Sequence, residues 1–489
     1  MGLREQAAKG VVWSAAQTWG ARAISFLITL VLARFVLPDD FGLIAFATVF
    51  IAFAQIFLDQ GFGDAIVQCQ QLEREHLDTA FWINLFTGSL LTIVGILVSR
   101  PIEQLFNKPQ LAPVLVFLSL NFLIGSLSSV QQAILKRQLA FKSLAIRSLI
   151  ASLVSGALAI IMAVRGFGVW SLVAKMLVNS LVSVIVLWHV SDWRPSFNFS
   201  KKHLKELYRF GVNILGSNFV EFFSRNADNF LIGFFLGTTI LGYYTLAYNL
   251  LITMIALLID VPVIVIFPTF SRLQDELTKM RQAFYEVTQL QSVVAFPIFI
   301  GMLALAPEAI IFLYGQNWAP SIPVTQVLML IGILLSAEYF YGNVINAAGK
   351  PSLRFAILAL TSVLNVIGFA IAVRWGIVAV AISYVISGYI SLPVYFLIIK
   401  RLINVNFRAH LQQYIPALCS SLAMCAIIFG LKLALPDEME LTLRIVVLLP
   451  AGILTYLVTL YLIRPSLSHQ ALNLIKLVLP GLKARTPGS

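Results

Sequence analysis

Val11–Val36 reads VVWSAAQTWGARAISFLITLVLARFV, and this stretch decides the class of fold. It is mostly apolar and well over about twenty residues long, and it follows a short polar segment carrying Arg4 and Lys9. A helix that crosses a bilayer needs about 20 mainly apolar residues. The apolar core of a cleaved signal peptide has only about 7–15. The stretch therefore predicts a first transmembrane helix that stays in the protein. The rest of the chain repeats the pattern. Of 489 residues, 59% are hydrophobic and 11% are charged. Soluble domains carry about 25% charged residues, and the mean hydropathy here is +0.89.

About fourteen spans of this kind are predicted, from 11–34 at the start to 442–463 at the end, joined by short connections. The span at 149–164 is short and extends into its flanks. The fold class is an all-α polytopic membrane protein. Two segments, Lys201–Arg209 and Ala471–Leu479, read as short interfacial helices, the first capped by Ser200.

Charge sets the orientation. The net charge is +12, and Lys and Arg collect on alternate connections. Arg137, Arg147, Arg194, Lys202, Arg272, Lys279, Lys350, Arg401 and Arg408 fall on one side, together with both terminal segments. The other side holds few, such as Arg100, Lys108, Arg165 and Arg374. Positive charge marks the cytoplasmic side, so both termini are predicted there. The same distribution excludes nucleic acid as a partner, because the basic residues sit in loops rather than on a soluble domain.

Enzymatic readings find no support. There is no GxxxxGK[ST] loop, no GxSxG and no HExxH in the sequence. None of the loops is large enough to house an enzyme's site. Cys69, Cys419 and Cys425 form no CxxC or Cys/His cluster, which argues against disulfides and metal. The histidines His76, His189, His203, His410 and His469 fall in or beside polar loops, so none reads as a buried ligand. No catalytic residue, metal or cofactor is expected.

The chain repeats itself. Leu32–Ala47 reads LARFVLPDDFGLIAFA and Ile232–Ala247 reads IGFFLGTTILGYYTLA. At an offset of 200, Phe35 meets Phe235, Gly42 meets Gly242 and Ala47 meets Ala247; Asp59 meets Asp260 one residue later. Six helices separate the equivalent elements, an even number, so the two halves share one orientation. Parallel halves of this kind recur in transporters. The chain divides accordingly into a first lobe (1–190), a linker (191–209), a second lobe (210–400), two further helices (401–464) and a tail (465–489).

Ionisable residues within spans cost roughly 2.5–3.5 kcal/mol each on insertion scales and usually face the bundle interior. Arg22 lies about 16 Å along the first helix, half of a bilayer core about 30 Å thick, with Gln17, Gly20 and Ser25 beside it. Arg225 occupies a similar depth in the seventh span. An arginine pair suits an anionic headgroup, because guanidinium binds phosphate in a bidentate fork. An internal ion pair is the alternative for Arg225, with Glu221 and Asp228 at i−4 and i+3. Lys175 in the sixth span lines the cavity or reaches the interface. Asn226 and Asn229 are further cavity candidates. Asp59, Asp228, Asp260 and Glu221 are candidates for an ion site or a gate, and Glu338, Asn343 and Asn346 for lining. Gly349-Lys350-Pro351 ends one helix and begins the next, and Pro38-Asp39-Asp40-Phe41-Gly42 reads as a tight turn.

Several of these motifs form an ordered set. Ala33-Arg34-Phe35-Val36-Leu37-Pro38-Asp39-Asp40-Phe41-Gly42 is followed by Leu58-Asp59-Gln60-Gly61-Phe62-Gly63-Asp64-Ala65. Arg165-Gly166-Phe167-Gly168-Val169-Trp170 and Trp193-Arg194-Pro195 come next. Asn226-Ala227-Asp228-Asn229 then leads to Leu236-Gly237-Thr238-Thr239-Ile240-Leu241-Gly242-Tyr243-Tyr244. The set resembles the Wzx-type O-antigen and exopolysaccharide flippases of the MOP (multidrug/oligosaccharidyl-lipid/polysaccharide) superfamily, over nearly the whole chain. The resemblance implies a two-lobed, MATE-like helical bundle that alternates access, with the last two helices peripheral. It implies an undecaprenyl-diphosphate-linked oligosaccharide as substrate, membrane lipid around it, other polysaccharide-assembly membrane proteins as partners, and the bacterial inner membrane as location. A cation-coupled multidrug or small-molecule antiporter of the same superfamily is the alternative.

Overall fold

The computed structural model describes residues 3–58, 61–274, 276–436, 438–465 and 467, with the side chains of 3–18, 207, 209–215, 217 and 259–269 outside that description. Among the described residues there is no strand. In chain order the helices are α1 (Leu3–Phe35), α2 (Pro38–Leu58), α3 (Phe62–Gln68), α4 (Arg74–Phe106), α5 (Leu111–Ser126), α6 (Ser129–Arg137), α7 (Phe141–Val164), α8 (Val169–Val190), α9 (Lys201–Phe235), α10 (Thr238–Arg272), α11 (Leu277–Tyr314), α12 (Ile322–Ala347), α13 (Pro351–Ala372), α14 (Ile377–Ile403), α15 (Phe407–Ala434) and α16 (Leu441–Ile463). Among the described residues, 11 helices are long and apolar enough to cross a membrane, or 12 if α5 and α6, bent by 43° at their break, form one span.

Local chemistry explains where these helices start and stop. The expected turn at Pro38–Gly42 is corrected: Pro38 opens α2, with Asp39 and Asp40 in its first turn, as suits a fixed φ and a positive helix terminus. α2 runs to Leu58, and Gly61, at φ 74°, precedes the separate α3. The predicted short helix at Lys201–Arg209 is the first part of α9, which runs on unbroken to Phe235. No proline interrupts that stretch, so the ladder of i→i−4 bonds continues. Its cap is as expected: Ser200 Oγ accepts from the His203 N–H at 3.5 Å. The span at 149–164 does extend, because α7 begins at Phe141. Gly349, at φ 69°, ends α12, and Pro351 opens α13. Ala471–Leu479 lies outside the described residues.

The chain forms two compact units. The first comprises Met1–Leu246 and Ser362–Val380. In it α1 packs on α7, α7 on α8, α4 on α5, and α2 on both α5 and α9. Lipid removes the hydrophobic drive between helices, so close packing must hold them. Small residues supply it here. A Cβ on Gly156 of α7 would lie 2.0 Å from Ile28 Cδ1 of α1. The α2–α9 contact is aromatic, with Phe46 against Phe230 at 6.3 Å and Phe53 against Phe222 at 5.4 Å between ring centroids.

The repeat glycines meet face to face in this unit. A Cβ on Gly42 would stand 1.7 Å from the Thr238 carbonyl oxygen, and one on Gly242 would stand 1.9 Å from that of Pro38. Asp39 Oδ1 accepts from the hydroxyls of Thr238 and Thr239 at 2.6 and 2.7 Å. The start of α2 and the start of α10 are thus joined backbone to backbone and tied by a carboxylate.

The second unit comprises Ala247–Thr361 and Ala381–Ser489. There α11 packs on α12, α15 and α16. A buried carboxylate organises one end: Glu308 of α11 accepts from Lys432 Nζ of α15 at 2.6 Å, with Arg444 Nε of α16 at 3.7 Å. A charge out of water needs such partners, since breaking a buried pair typically costs about 3–5 kcal/mol. At the other end His410 is buried against Phe284 and Phe396, its Nε2 2.8 Å from the Tyr341 hydroxyl and 3.2 Å from that of Tyr414.

Candidate functional site

The first unit carries a polar seam through otherwise apolar helices. Arg22, Ser25 and Thr29 stand at i, i+3 and i+7 on α1, one face of a helix of 3.6 residues per turn. Lys175 and Asn179 stand at i and i+4 on α8. Lys175 Nζ donates to Thr29 Oγ1 at 3.5 Å, and Asn179 Nδ2 donates to Ser155 Oγ of α7 at 3.4 Å. Arg22 is half-buried and about 10 Å along α1 from Thr29 by helical rise. Gly20 lets this part of α1 come close to α7, its missing Cβ 3.1 Å from Leu149 Cδ2. The unit thus carries two cationic side chains on α1 and α8, and Lys175 has a hydroxyl as its neighbour.

Structure separates the remaining candidates. Arg225 on α9 pairs with Glu221, Nε to Oε1 at 2.8 Å, and both side chains are exposed. The predicted i−4 partner is therefore engaged. Asp228 takes another route. It is buried, accepts from the Tyr244 hydroxyl at 2.8 Å and from the Asn229 N–H at 2.7 Å. Tyr244, fully buried on α10, is a partner that spacing along one helix does not reveal. Asn226 donates to the Phe222 carbonyl of its own helix at 2.9 Å, while Asn229 Oδ1 is buried without a hydrogen bond. In the second unit, Glu338 is buried with Oε1 unbonded, Asn343 donates to the Tyr339 carbonyl at 3.4 Å, and Asn346 Oδ1 lacks a hydrogen bond. Asp59 and the side chains of Gln17 and Asp260 lie outside the described residues.

Two groupings escape a reading of the sequence. One is a pocket of about 660 Å³ lined in part by Arg74, Arg137, Arg194 and Asp192. Its guanidiniums largely serve the backbone: Arg137 donates to the carbonyls of Ile66 and Cys69, which closes the end of α3, and Arg194 donates to that of Trp188 at 2.7 Å. The other is a cluster of histidines. The sequence places all five histidines in or beside polar loops, yet His76, His203 and His410 are buried. A polar loop in sequence becomes an interior position where α4 and α9 begin side by side.

Residues 31–323 match the family described as "Polysaccharide biosynthesis protein". The chain belongs to this family. Among its relatives are the teichuronic acid biosynthesis protein TuaB of Bacillus subtilis, 27% identical over 96% of this chain and 98% of its own length, and the lipopolysaccharide biosynthesis protein WzxC of Escherichia coli, 25% identical over 90% of each. A third, the succinoglycan biosynthesis transport protein ExoT of Rhizobium meliloti, is 29% identical over 68% of this chain and 67% of its own length. The fold resembles the lipid II flippase MurJ in an inward closed conformation, at TM-score 0.76 and 15% identity over 93% of this chain and 99% of that one. It also resembles an inward-facing multidrug resistance MATE transporter of the MOP superfamily, at TM-score 0.61 and 15% identity over 80% of this chain and 98% of that one. This member of the polysaccharide biosynthesis family thus shares its multi-span helical fold with those two proteins.

Proposed function

We propose that this protein is a flippase, not an enzyme. It moves an undecaprenyl-diphosphate-linked oligosaccharide repeat unit across the bacterial inner membrane, for O-antigen or exopolysaccharide synthesis, by alternating access. The observation that carries the reading is the seam of Arg22, Thr29 and Lys175 in a member of the polysaccharide biosynthesis family. The seam receives the diphosphate while the polyprenyl tail stays in lipid. The reading includes fourteen crossings, with α1 and α9 as spans, parallel halves 1–190 and 210–400, and peripheral helices within 401–464. Family names that refer to lipopolysaccharide, teichuronic acid and succinoglycan support a glycan cargo.

Charge gives a source of energy. A diphosphate carries about two negative charges, and an inside-negative potential favours moving them outward. At about 2.3 kcal/mol per charge per 100 mV, the bias is roughly 4–5 kcal/mol, more than about a thousandfold. Reconstituted protein is therefore expected to slow when the potential is collapsed at fixed pH and Na⁺. Transport that ignores potential but stops when a Na⁺ or H⁺ gradient is removed would refute potential-driven uniport and favour the cation-coupled antiporter. Asp228 and Glu338 would then be the first described carboxylates to substitute, with Asp59 and Asp260 after them.

Orientation is tested separately. With both termini cytoplasmic, single cysteines placed beside Arg137, Arg194 and Lys279 in a chain lacking Cys69, Cys419 and Cys425 are expected to resist impermeant thiol reagents in intact cells. Labelling of any one from outside would overturn the topology.

A further inference from the structure

We propose that Glu73, His76 and His203 form a binding site for a divalent metal ion of the zinc class. One ring nitrogen of each histidine and one carboxylate oxygen of Glu73 all lie within 4.8 Å of one another. His203 Nε2 and Glu73 Oε2 are 3.3 Å apart. Two ligands on a tetrahedral ion with bonds of about 2.0–2.1 Å are separated by roughly 3.3–3.4 Å, so this pair already spans one edge of such a polyhedron. The two imidazole centroids are 4.0 Å apart, with the rings tilted 51° to one another.

The donors are arranged for capture from water. Both histidines are buried, while Glu73, Glu75 and Glu206 are about half exposed. His203 Nδ1 is buried with no hydrogen bond, 3.4 Å from Glu75 Oε2. Among the described residues, the ion pairs of these three carboxylates are all with the two imidazoles. Three carboxylates thus converge on the two rings, a donor set that suits a dication. Imidazole with carboxylate suits Zn²⁺, Co²⁺ or Ni²⁺ better than the all-oxygen sets that hold Ca²⁺ or Mg²⁺.

Helix geometry places the donors. Glu73 and His76 are three residues apart, as are His203 and Glu206, so each pair shares a helix face. Glu73 is also the N-cap of α4, and its N–H donates to His76 Nδ1 at 3.2 Å. Coordination through Nε2 puts the ring proton on Nδ1 and ends that bond; coordination through Nδ1 competes with it directly. Either way the ion takes over the cap and ties the start of α4 to the start of α9.

The test uses the full chain in detergent, with no polyhistidine tag and with Cys69, Cys419 and Cys425 replaced by serine. Titration with Co²⁺ is expected to give visible d–d absorption that saturates at one ion per chain and is displaced by Zn²⁺. Glu73→Gln and His203→Asn are expected to weaken binding at least about tenfold, within the range seen when groups at a metal site are lost. Glu73→Gln changes an exposed side chain, so it decides the matter even if His203→Asn fails to fold. Folded protein that gives no such absorption, or binding unchanged in Glu73→Gln, would overturn the site and leave the cluster as imidazole–carboxylate contacts that join α4 to α9.

Discussion

Gly42→Ala is expected to destabilise the protein by about 1–3 kcal/mol, and Gly42→Leu to prevent its recovery as a folded species. The added Cβ would sit 1.7 Å from the carbonyl oxygen of Thr238. That atom is backbone, so no rotamer change relieves the clash, and α2 must move away from α10. The move also lengthens the bonds from Thr238 and Thr239 to Asp39. Gly242→Ala is expected to cost as much, since its Cβ meets the Pro38 carbonyl at 1.9 Å. One contact is involved, so the double variant should cost less than the two single costs added together. Gly430→Ala is the control: nothing lies within 4 Å of a Cβ there, and alanine favours the helix interior. Thermal unfolding in detergent measures the four alanine variants, and recovery of folded protein tests Gly42→Leu. A Gly42→Ala protein as stable as the wild type would show that the two helices are not held at this distance.

That pair of glycines shows how a sequence can carry more than one reads from it. The offset of 200 between Gly42 and Gly242 is visible as duplication, and so is the polar run around Pro38. What repetition does not state is that the two copies touch. Turn-forming residues therefore read as a turn, whereas the glycine is needed for the approach of two helix starts. The 11 or 12 spans found among the described residues were legible because bilayer thickness fixes their length. The continuity of α9 was not, because Lys201, Lys202 and Lys205 mark an interface in sequence without ending the helix.

The sites divide in the same way. Arg22 is conspicuous in the sequence because a charge at mid-span is costly and needs a reason, and its headgroup role is a proposal. Glu221 beside Arg225 was legible because the pair lies within one helix. Tyr244 beside Asp228, Thr29 beside Lys175 and His203 beside His76 were not, since each pair joins two helices and no spacing predicts it. One signal for the histidines was present: each has a glutamate three residues away, Glu73 before His76 and Glu206 after His203. Read as two helix faces rather than as loop residues, those pairs point to a common cluster.

Arg22→Ala is expected to reduce glycan export to background while the protein inserts and accumulates normally. A hydrogen bond to a charged group contributes about 1.5–3 kcal/mol, so losing a single guanidinium–phosphate contact lowers binding roughly ten- to a hundredfold. Arg22 also interacts within the chain, and its five N–H donors allow a second acceptor. Arg22→Lys separates the two ways in which the residue can act. An ammonium keeps the charge but gives up the bidentate fork, so partial export is expected if charge alone draws the diphosphate in, and background export if the fork is required. Lys175→Ala is expected to have the smaller effect, because Lys175 bonds Thr29 at 3.5 Å and a lone ammonium offers no planar fork. The measurement is the glycolipid that accumulates in cells lacking the chromosomal copy, with the level of each variant in the membrane determined in parallel. Wild-type export by Arg22→Ala at normal protein level would remove the headgroup role from α1 and leave Lys175 as the only cation of the seam to explain.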